Sequence, residues 1–185
     1  SNNDIPNSIY PYSKSSHVSN TSSKNTTAQS LLPLLFVFHG FGMSAEGQLA
    51  MADFTDLAQQ HQFIVVYPQG ALLNGSPHWN AALADSDNKS NVDDFGFINQ
   101  LLQELKQQYA IDSSKVYATG YSNGGFFAFA LACLHSEQYA AIATMSSTML
   151  DSTLANCSPT HPTSVMLWHD DQDQTIASEG SDGYS

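Results

Sequence analysis

Apolar runs of strand length alternate along the chain with stretches whose apolar residues recur at helical spacing. The runs are rich in β-branched and aromatic residues and predict strands over residues 32–38, 63–67, 115–119, 139–145 and 164–169. The helical spacing predicts helices over residues 44–61, 94–109 and 123–134. Because the strands are continuously apolar rather than alternating, both faces of the sheet should be covered. The pattern predicts an α/β fold with a mainly parallel, doubly wound sheet and helices on both faces.

The first 30 residues are rich in Ser, Asn and Thr and contain no core-forming pattern. We interpret residues 1–30 as a polar N-terminal segment or linker with a possible edge strand at 9–12. The folded domain is then expected over residues 31–185.

Composition narrows the possible partners. Apolar residues make up 42% of the chain, charged residues 12%, and the formal charge is −12 without a single arginine. Such an acidic chain repels nucleic acid and anionic membrane surfaces. No apolar run approaches the roughly 18 residues that a membrane span needs. We therefore expect no nucleic-acid or membrane partner and a monomeric chain. Cys133 and Cys157 are compatible with one disulfide or with two buried thiols.

The main candidate for a catalytic residue lies where a predicted strand meets a predicted helix. Residues 120–124 read Gly-Tyr-Ser-Asn-Gly, a G-x-S-x-G pentapeptide with Ser122 at its centre. A serine on such a turn is held in a strained backbone conformation, and the small residues around it let strand and helix approach. The turn also points the positive end of the helix dipole at the site of a developing oxyanion. We predict that Ser122 is a nucleophile.

A second loop follows the first predicted buried strand, where residues 39–42 read His-Gly-Phe-Gly. Its glycines leave space for a ligand to approach the backbone. The N–H groups of Phe41 and Asn123 are the expected oxyanion hole. His39 is expected to brace this loop rather than to act as a base.

A serine nucleophile needs a base, and the base needs an orienting carboxylate. Asp173 follows a strand that comes after Ser122, which is the order expected of the acid, with Asp170 and Asp171 as rivals. No histidine follows Asp173 in the sequence. His78, His161 and His169 could replace the base only by an unusual route. The histidines show no metal-ligand spacing, and no phosphate or dinucleotide motif is present, so no cofactor or metal is predicted.

The motifs taken together resemble those of secreted α/β-hydrolases of the poly(3-hydroxybutyrate) depolymerase-type and feruloyl esterase family. The matching stretches are residues 33–42, 63–70, 92–97, 111–125 and 131–133. The resemblance implies the α/β-hydrolase fold, no cofactor, and ester hydrolysis through an acyl-enzyme with Ser122 as nucleophile and Asp173 as acid. It also implies a Cys133–Cys157 disulfide and a secreted or periplasmic protein.

The resemblance also suggests a substrate-binding role for Trp79, which either faces an aromatic or polyester substrate or packs under the long loop. We place His39 and Tyr121 with it among the expected substrate-binding residues. The family pattern His-Gly-Thr-x-Asp reads His-Asp-Asp-Gln-Asp at residues 169–173. The chain thus resembles the central portion of a longer hydrolase. We expect it to lack the C-terminal strand, the helix and the catalytic histidine of that hydrolase.

The predicted function is a serine carboxylic-ester hydrolase for feruloyl, polyhydroxyalkanoate or similar hydrophobic esters. A catalytically impaired fragment or binding remnant is the first alternative, because the base is missing. An acyltransferase or serine peptidase on the same scaffold is the second.

Overall fold

The computed structural model describes residues 10–12, 30–83 and 88–178. Of the predicted N-terminal segment over residues 1–30, residues 1–9 and 13–29 lie outside the described residues. The strands are β1 (Tyr10–Tyr12), β2 (Leu32–Phe38), β3 (Ile64–Tyr67), β4 (Leu72–Leu73), β5 (Ser76–Pro77), β6 (Ile111–Tyr121), β7 (Ala141–Met145) and β8 (Ser164–Trp168). The helices are α1 (Ala45–Met51), α2 (Thr55–His61), α3 (Asp94–Gln108), α4 (Asn123–Leu134) and α5 (Asp151–Asn156).

The central sheet has six strands in the order β1-β3-β2-β6-β7-β8 among the described residues. Every neighbouring pair is parallel except β1 with β3, which is antiparallel. The mainly parallel sheet and the edge strand near residues 10–12 are therefore confirmed. The carboxyl ends of β2, β6, β7 and β8 meet along one edge, and the predicted catalytic loops begin there.

Two apolar cores lie on opposite faces of the sheet. Phe36 and Phe38 of β2 pack in the core that α3 and α4 cover. Val37, which points the other way, packs in the core that α1 and α2 help to form. The prediction of helices on both faces is confirmed for the strands that these cores cover.

The predicted single helix over residues 44–61 is wrong, since the structure contains two helices, α1 and α2. Ser44 caps the first as expected, with its Oγ accepting from Gly47 N–H at 3.1 Å. Between the helices, the Tyr67 hydroxyl donates to the Ala52 carbonyl at 2.7 Å and accepts from the Phe54 N–H at 2.9 Å. A buried tyrosine from β3 thus takes the hydrogen bonds that a continuous helix would have used.

Sequence reasoning missed two small elements. Strands β4 and β5 form a hairpin whose turn holds Asn74 at φ 51° and Gly75 at φ 87°. Helix α5 follows β7, and its Thr153 hydroxyl donates to the Ala81 carbonyl at 3.2 Å. The disulfide implied by the resemblance is present and ties the end of α4 to the residue after α5. Such a cross-link contributes about 3 kcal/mol in the chain-entropy account.

The longest described helix, α3, has 15 residues, and no described helix has the length and apolarity needed to span a membrane.

Candidate active site

Ser122 occupies the sharp turn between β6 and α4, with φ 51° and ψ −119°. A non-glycine residue at positive φ stores about 1–3 kcal/mol of strain and persists only where its surroundings enforce it. The enforcing contacts are on both sides: Ser122 N–H donates to the Met145 carbonyl at 2.9 Å, and the Ser122 carbonyl accepts from Gly125 N–H at 2.8 Å. The strained turn that the pentapeptide predicted is therefore present.

Two glycines allow this turn to close. A Cβ on Gly120 would overlap the carbonyl of Gly124. A Cβ on Gly124 would overlap the carbonyl of Phe38 and lie 2.6 Å from the carbonyl oxygen of His39. The start of α4 therefore touches the end of β2, which brings Ser122 to the loop that begins at His39.

The predicted oxyanion donors lie on these two neighbouring loops. Within the described residues, neither Phe41 N–H nor Asn123 N–H donates a hydrogen bond to another backbone group. The first loop is held by Gly42 N–H, which donates to the Pro77 carbonyl at 2.8 Å. Both N–H groups therefore have no backbone acceptor among the described residues, and other hydrogen bonds hold the segments that carry them.

The Asn123 side chain fastens the nucleophile turn to the long loop before α3. Its Oδ1 accepts from Trp79 N–H at 2.8 Å, and its Nδ2 donates to the Trp79 carbonyl at 2.9 Å. Trp79 is 2% exposed, and its indole N–H donates to the His39 carbonyl at 3.1 Å. Its ring stacks on Phe127 with centroids 5.1 Å apart. Trp79 both packs in the core and borders the cleft beside Ser122.

His39 is fully buried behind the cleft. Its Nδ1–H donates to the Gly40 carbonyl at 2.9 Å, and its Nε2 accepts from Gly70 N–H at 2.9 Å. Burial lowers the pKa of His39, so the imidazole stays neutral in this tautomer near pH 7. These contacts brace the loop and leave neither ring nitrogen free to act as a base. Tyr121 lies on the other side, with its ring against Gly40 and outside the cleft lining.

Sequence reasoning missed a buried polar network under the long loop. Asp94, 1% exposed, accepts from Asn80 N–H at 2.7 Å. The Asn80 side chain donates to the Val92 carbonyl at 2.8 Å and contacts His78 Nε2 at 3.2 Å. Burial raises the pKa of Asp94 to about 6. The one sequence signal was a long polar loop that ends in two adjacent aspartates, of which Asp93 caps α3.

The loop after β8 carries the predicted acid. Asp173 Oδ1 accepts from Thr175 N–H and Ile176 N–H, each at 2.9 Å, and these bonds lower the pKa of Asp173. Its Oδ2 lies 3.7 Å from His169 Nε2, which donates to the Ile176 carbonyl at 2.6 Å. Asp173 therefore shapes the segment that ends at the cleft.

The two rival aspartates, Asp170 and Asp171, are exposed, whereas Asp173 is half-buried. Asp170 Oδ1 accepts from Gln172 N–H at 2.9 Å, as expected of a turn residue.

Ser122 opens onto a cleft of about 280 Å³. Its apolar lining residues are Phe41, Trp79, Ala81, Ala82, Phe126, Leu150 and Ile176. No described residue hydrogen-bonds with the Ser122 hydroxyl, and among the described histidines only His78 lines the cleft. His78 borders the cleft but uses Nδ1 to donate to the Ala71 carbonyl at 3.0 Å. A base for Ser122 is therefore not assembled among the described residues.

No group of three or more His, Cys, Asp or Glu side chains in the described ranges is arranged to hold a metal ion.

A family model described as Phospholipase/Carboxylesterase matches residues 18–182. The putative esterase NocK of Nocardia uniformis subsp. tsuyamanensis is 30% identical over 142 residues, which is 76% of this chain and 40% of that protein. Poly(3-hydroxyalkanoate) depolymerase C of Paucimonas lemoignei is 27% identical over 159 residues, 83% of this chain and 37% of that one. Feruloyl esterase D of Neurospora crassa is 28% identical over 128 residues, 63% of this chain and 40% of that one. The chain spans less than half the length of these relatives.

Among solved structures, the acetyl xylan esterase from Aspergillus awamori superposes with a TM-score of 0.66 at 16% identity, covering 81% of this chain and 66% of that one. At this identity the similarity shows the fold alone. That fold agrees with the parallel sheet and with the strained turn at Ser122. The resemblance to esterases is confirmed by the sequence relatives. With the family model matching most of its length, the chain belongs to the phospholipase/carboxylesterase family of α/β-hydrolases.

Proposed function

We propose that this protein is a serine carboxylic-ester hydrolase that works through an acyl-enzyme. The observation that carries the proposal is the strained turn at Ser122, beside two backbone N–H groups that donate to no described backbone acceptor. Strained non-glycine residues cluster at active sites, and this one carries a hydroxyl that borders a cleft.

In the proposed acylation step, Ser122 Oγ adds to the ester carbonyl carbon and loses its proton to an imidazole base, which the described residues do not supply. The carbonyl oxygen becomes an oxyanion that accepts from Phe41 N–H and Asn123 N–H. Loss of one such donor costs about 3–4 kcal/mol of transition-state stabilisation in comparable enzymes. The alcohol then leaves with the proton from the imidazole. In the second half-reaction, water attacks the acyl carbon and gives its proton to the imidazole, and Ser122 Oγ leaves with that proton as the acid is released.

Asp173 is the proposed orienting carboxylate for that imidazole. Hydrogen bonds from Thr175 and Ile176 lower its pKa and so favour the ionised form, which is the state that an orienting acid needs. The same loop carries Ile176, which lines the cleft, and this supports a loop that both orients the base and contacts the acyl group.

The apolar lining favours hydrophobic acyl groups, and feruloyl and polyhydroxyalkanoate esters are the proposed substrates. Phe126, Leu150 and Ile176 supply apolar surface next to Ser122. The Cys133–Cys157 disulfide supports a protein that works in an oxidising compartment, outside the cytoplasm.

The test is turnover of 4-nitrophenyl butyrate by the purified chain, its Ser122→Ala variant and a Ser114→Ala control. Ser114 is exposed on β6 and outside the cleft lining. We expect kcat to fall by about 10³-fold or more in Ser122→Ala and to stay unchanged in the control. Hydrolysis that persists in the Ser122→Ala variant would refute the role of Ser122, and absence of turnover in the unaltered chain would favour the impaired alternative.

A further inference from the structure

A buried carboxylate under the long loop has no part in the proposed reaction. Asp94 is the first residue of α3, yet the cap of that helix is Asp93, whose Oδ1 accepts from Gly96 N–H at 2.8 Å. Asp94 is 1% exposed, and its Oδ2 accepts instead from Asn80 N–H at 2.7 Å. We infer that Asp94 is a positioning residue for the oxyanion hole, which it orients through residues 77–80. This inference rests on the proposed function, since it concerns the same site.

One peptide group joins Asp94 to the residue that carries the second proposed oxyanion donor. The N–H of the peptide between Trp79 and Asn80 donates to Asp94. The carbonyl of the same peptide accepts from Asn123 Nδ2 at 2.9 Å. Because the N–H and C=O of a trans peptide point in opposite directions, this peptide lies between the carboxylate and the Asn123 amide. The carboxylate polarises the peptide, since hydrogen bonds in a chain strengthen one another. The Trp79 carbonyl is thereby a stronger acceptor for the side chain of Asn123.

The segment over residues 77–80 also holds the first oxyanion loop. The Pro77 carbonyl accepts from Gly42 N–H at 2.8 Å. The indole N–H of Trp79 donates to the His39 carbonyl at 3.1 Å. The segment therefore binds both of the loops that carry the proposed donors, and the buried carboxylate fixes the segment.

The charge on Asp94 changes near neutral pH. Burial raises its pKa to about 6, against the opposing effects of the Asn80 N–H and of His78. Asp93, which is exposed, raises the pKa further, and together with His78 it is the titratable neighbour that acts on Asp94 among the described residues. Protonation of Asp94 removes the charge that polarises the peptide, so the hold on Asn123 weakens as the pH falls through about 6.

The test is independent of turnover. The backbone amide signals of Asn80 and Asn123 are followed by two-dimensional amide NMR between about pH 5 and pH 8. The proteins are the unaltered chain, Asp94→Asn and the matched control Asp93→Asn. Asp94→Asn keeps an oxygen for the Asn80 N–H and removes only the charge. Asp93→Asn makes the same change one residue away, at an exposed position where Asn also caps a helix well.

We expect the Asn123 signal of the unaltered protein to titrate with that of Asn80, with a midpoint near 6. The titration should persist in Asp93→Asn and disappear in Asp94→Asn. At pH 8, Asp94→Asn should shift the Asn123 signal toward its position in the unaltered protein at low pH. An Asn123 signal that is unshifted in Asp94→Asn, or a titration that survives in that variant, would overturn the inference.

Hydrolysis of 4-nitrophenyl butyrate gives a second readout at pH 8. Oxyanion donors act on the transition state, so Asp94→Asn should lower kcat about three- to ten-fold and leave KM unchanged. Asp93→Asn should change neither. An effect on KM alone, or an equal loss of kcat in both variants, would contradict a positioning role. Absence of turnover in the unaltered chain would count against the esterase proposal, whereas the NMR comparison would still decide whether Asp94 acts on Asn123.

Discussion

The two sides of the cleft differ in how deeply the elements that carry them are buried. Ser122 follows β6 and opens α4, a helix with ten buried residues. Asp173 follows β8, whose five residues are all exposed, including Trp168 at 65%. On the first flank packing enforces the backbone, whereas on the second a few hydrogen bonds around Asp173 shape the loop. The nucleophile should therefore be sensitive to volume changes, and the acid loop to changes in hydrogen bonding and charge.

The largest effect is expected where packing is tightest. Gly124→Ala places a methyl group against the carbonyls of Phe38 and His39, and should cost about 3–4 kcal/mol or more of unfolding free energy. Gly47→Ala is the control, because its Cβ would meet only Ser44 Oγ at 3.5 Å inside α1. That change should stabilise by about 0.5–1 kcal/mol. Urea unfolding measures both, and a tolerated Gly124→Ala would remove the claim that packing enforces the turn.

A second prediction uses two carboxyls with opposite pKa shifts. Burial raises the pKa of Asp94 from 3.8 to about 6, so the folded state binds its proton more tightly than the unfolded state. This stabilisation is complete below about pH 4 and is lost as the pH rises through about 6. Relative to Asp94→Asn, the unaltered protein should therefore lose on the order of 2 kcal/mol between pH 4 and pH 8.

Asp173 provides the contrast, because backbone hydrogen bonds lower its pKa. Its stabilisation is present above its ordinary pKa and is lost only as the pH falls below about 4. The difference between the unaltered protein and Asp173→Asn should stay flat from pH 5 to pH 8 in the same unfolding series. A slope for Asp173 in that window, or none for Asp94, would contradict the assigned environments.

The smallest effect is expected for a valine-to-alanine substitution in the exposed strand β8, compared with the same substitution in the buried strand β3. Val66 in β3 is 0% exposed and Val165 in β8 is 54% exposed. Val66→Ala should cost about 2 kcal/mol, because it removes two buried methyl groups. Val165→Ala should cost less than about 0.5 kcal/mol. Equal losses in thermal or urea unfolding would mean that β8 is covered in solution.

The contrast also explains what could be predicted from sequence. Strands β2, β3 and β7 and helix α4 contain continuous apolar runs, and their bounds lie within two residues of the predicted ones. Strand β6 is longer than predicted, since it spans residues 111–121 rather than 115–119 and includes polar residues over 112–114 that the pattern did not mark as strand. The strained serine also followed, since the pentapeptide at Gly120 to Gly124 couples a local turn to flanking elements that the pattern shows. Strand β8 was predicted from the same kind of run, but its exposure depends on what packs beside it and is invisible in the run itself.

The elements that were missed depend on contacts distant in sequence. The break between α1 and α2 is stabilised by the hydroxyl of Tyr67. The buried Asp94 is recognisable only once Asn80 is folded against it. Periodicity carries no information about such pairings, so these residues required the structure.

The most direct test of the account is the site at which a fluorophosphonate modifies the folded protein, mapped by mass spectrometry of its peptides. A single adduct on Ser122, absent from Ser122→Ala and from protein unfolded in urea, is the predicted result. An adduct on another residue, or labelling that survives in the Ser122→Ala protein, would contradict the claim that the fold presents Ser122 as the nucleophile.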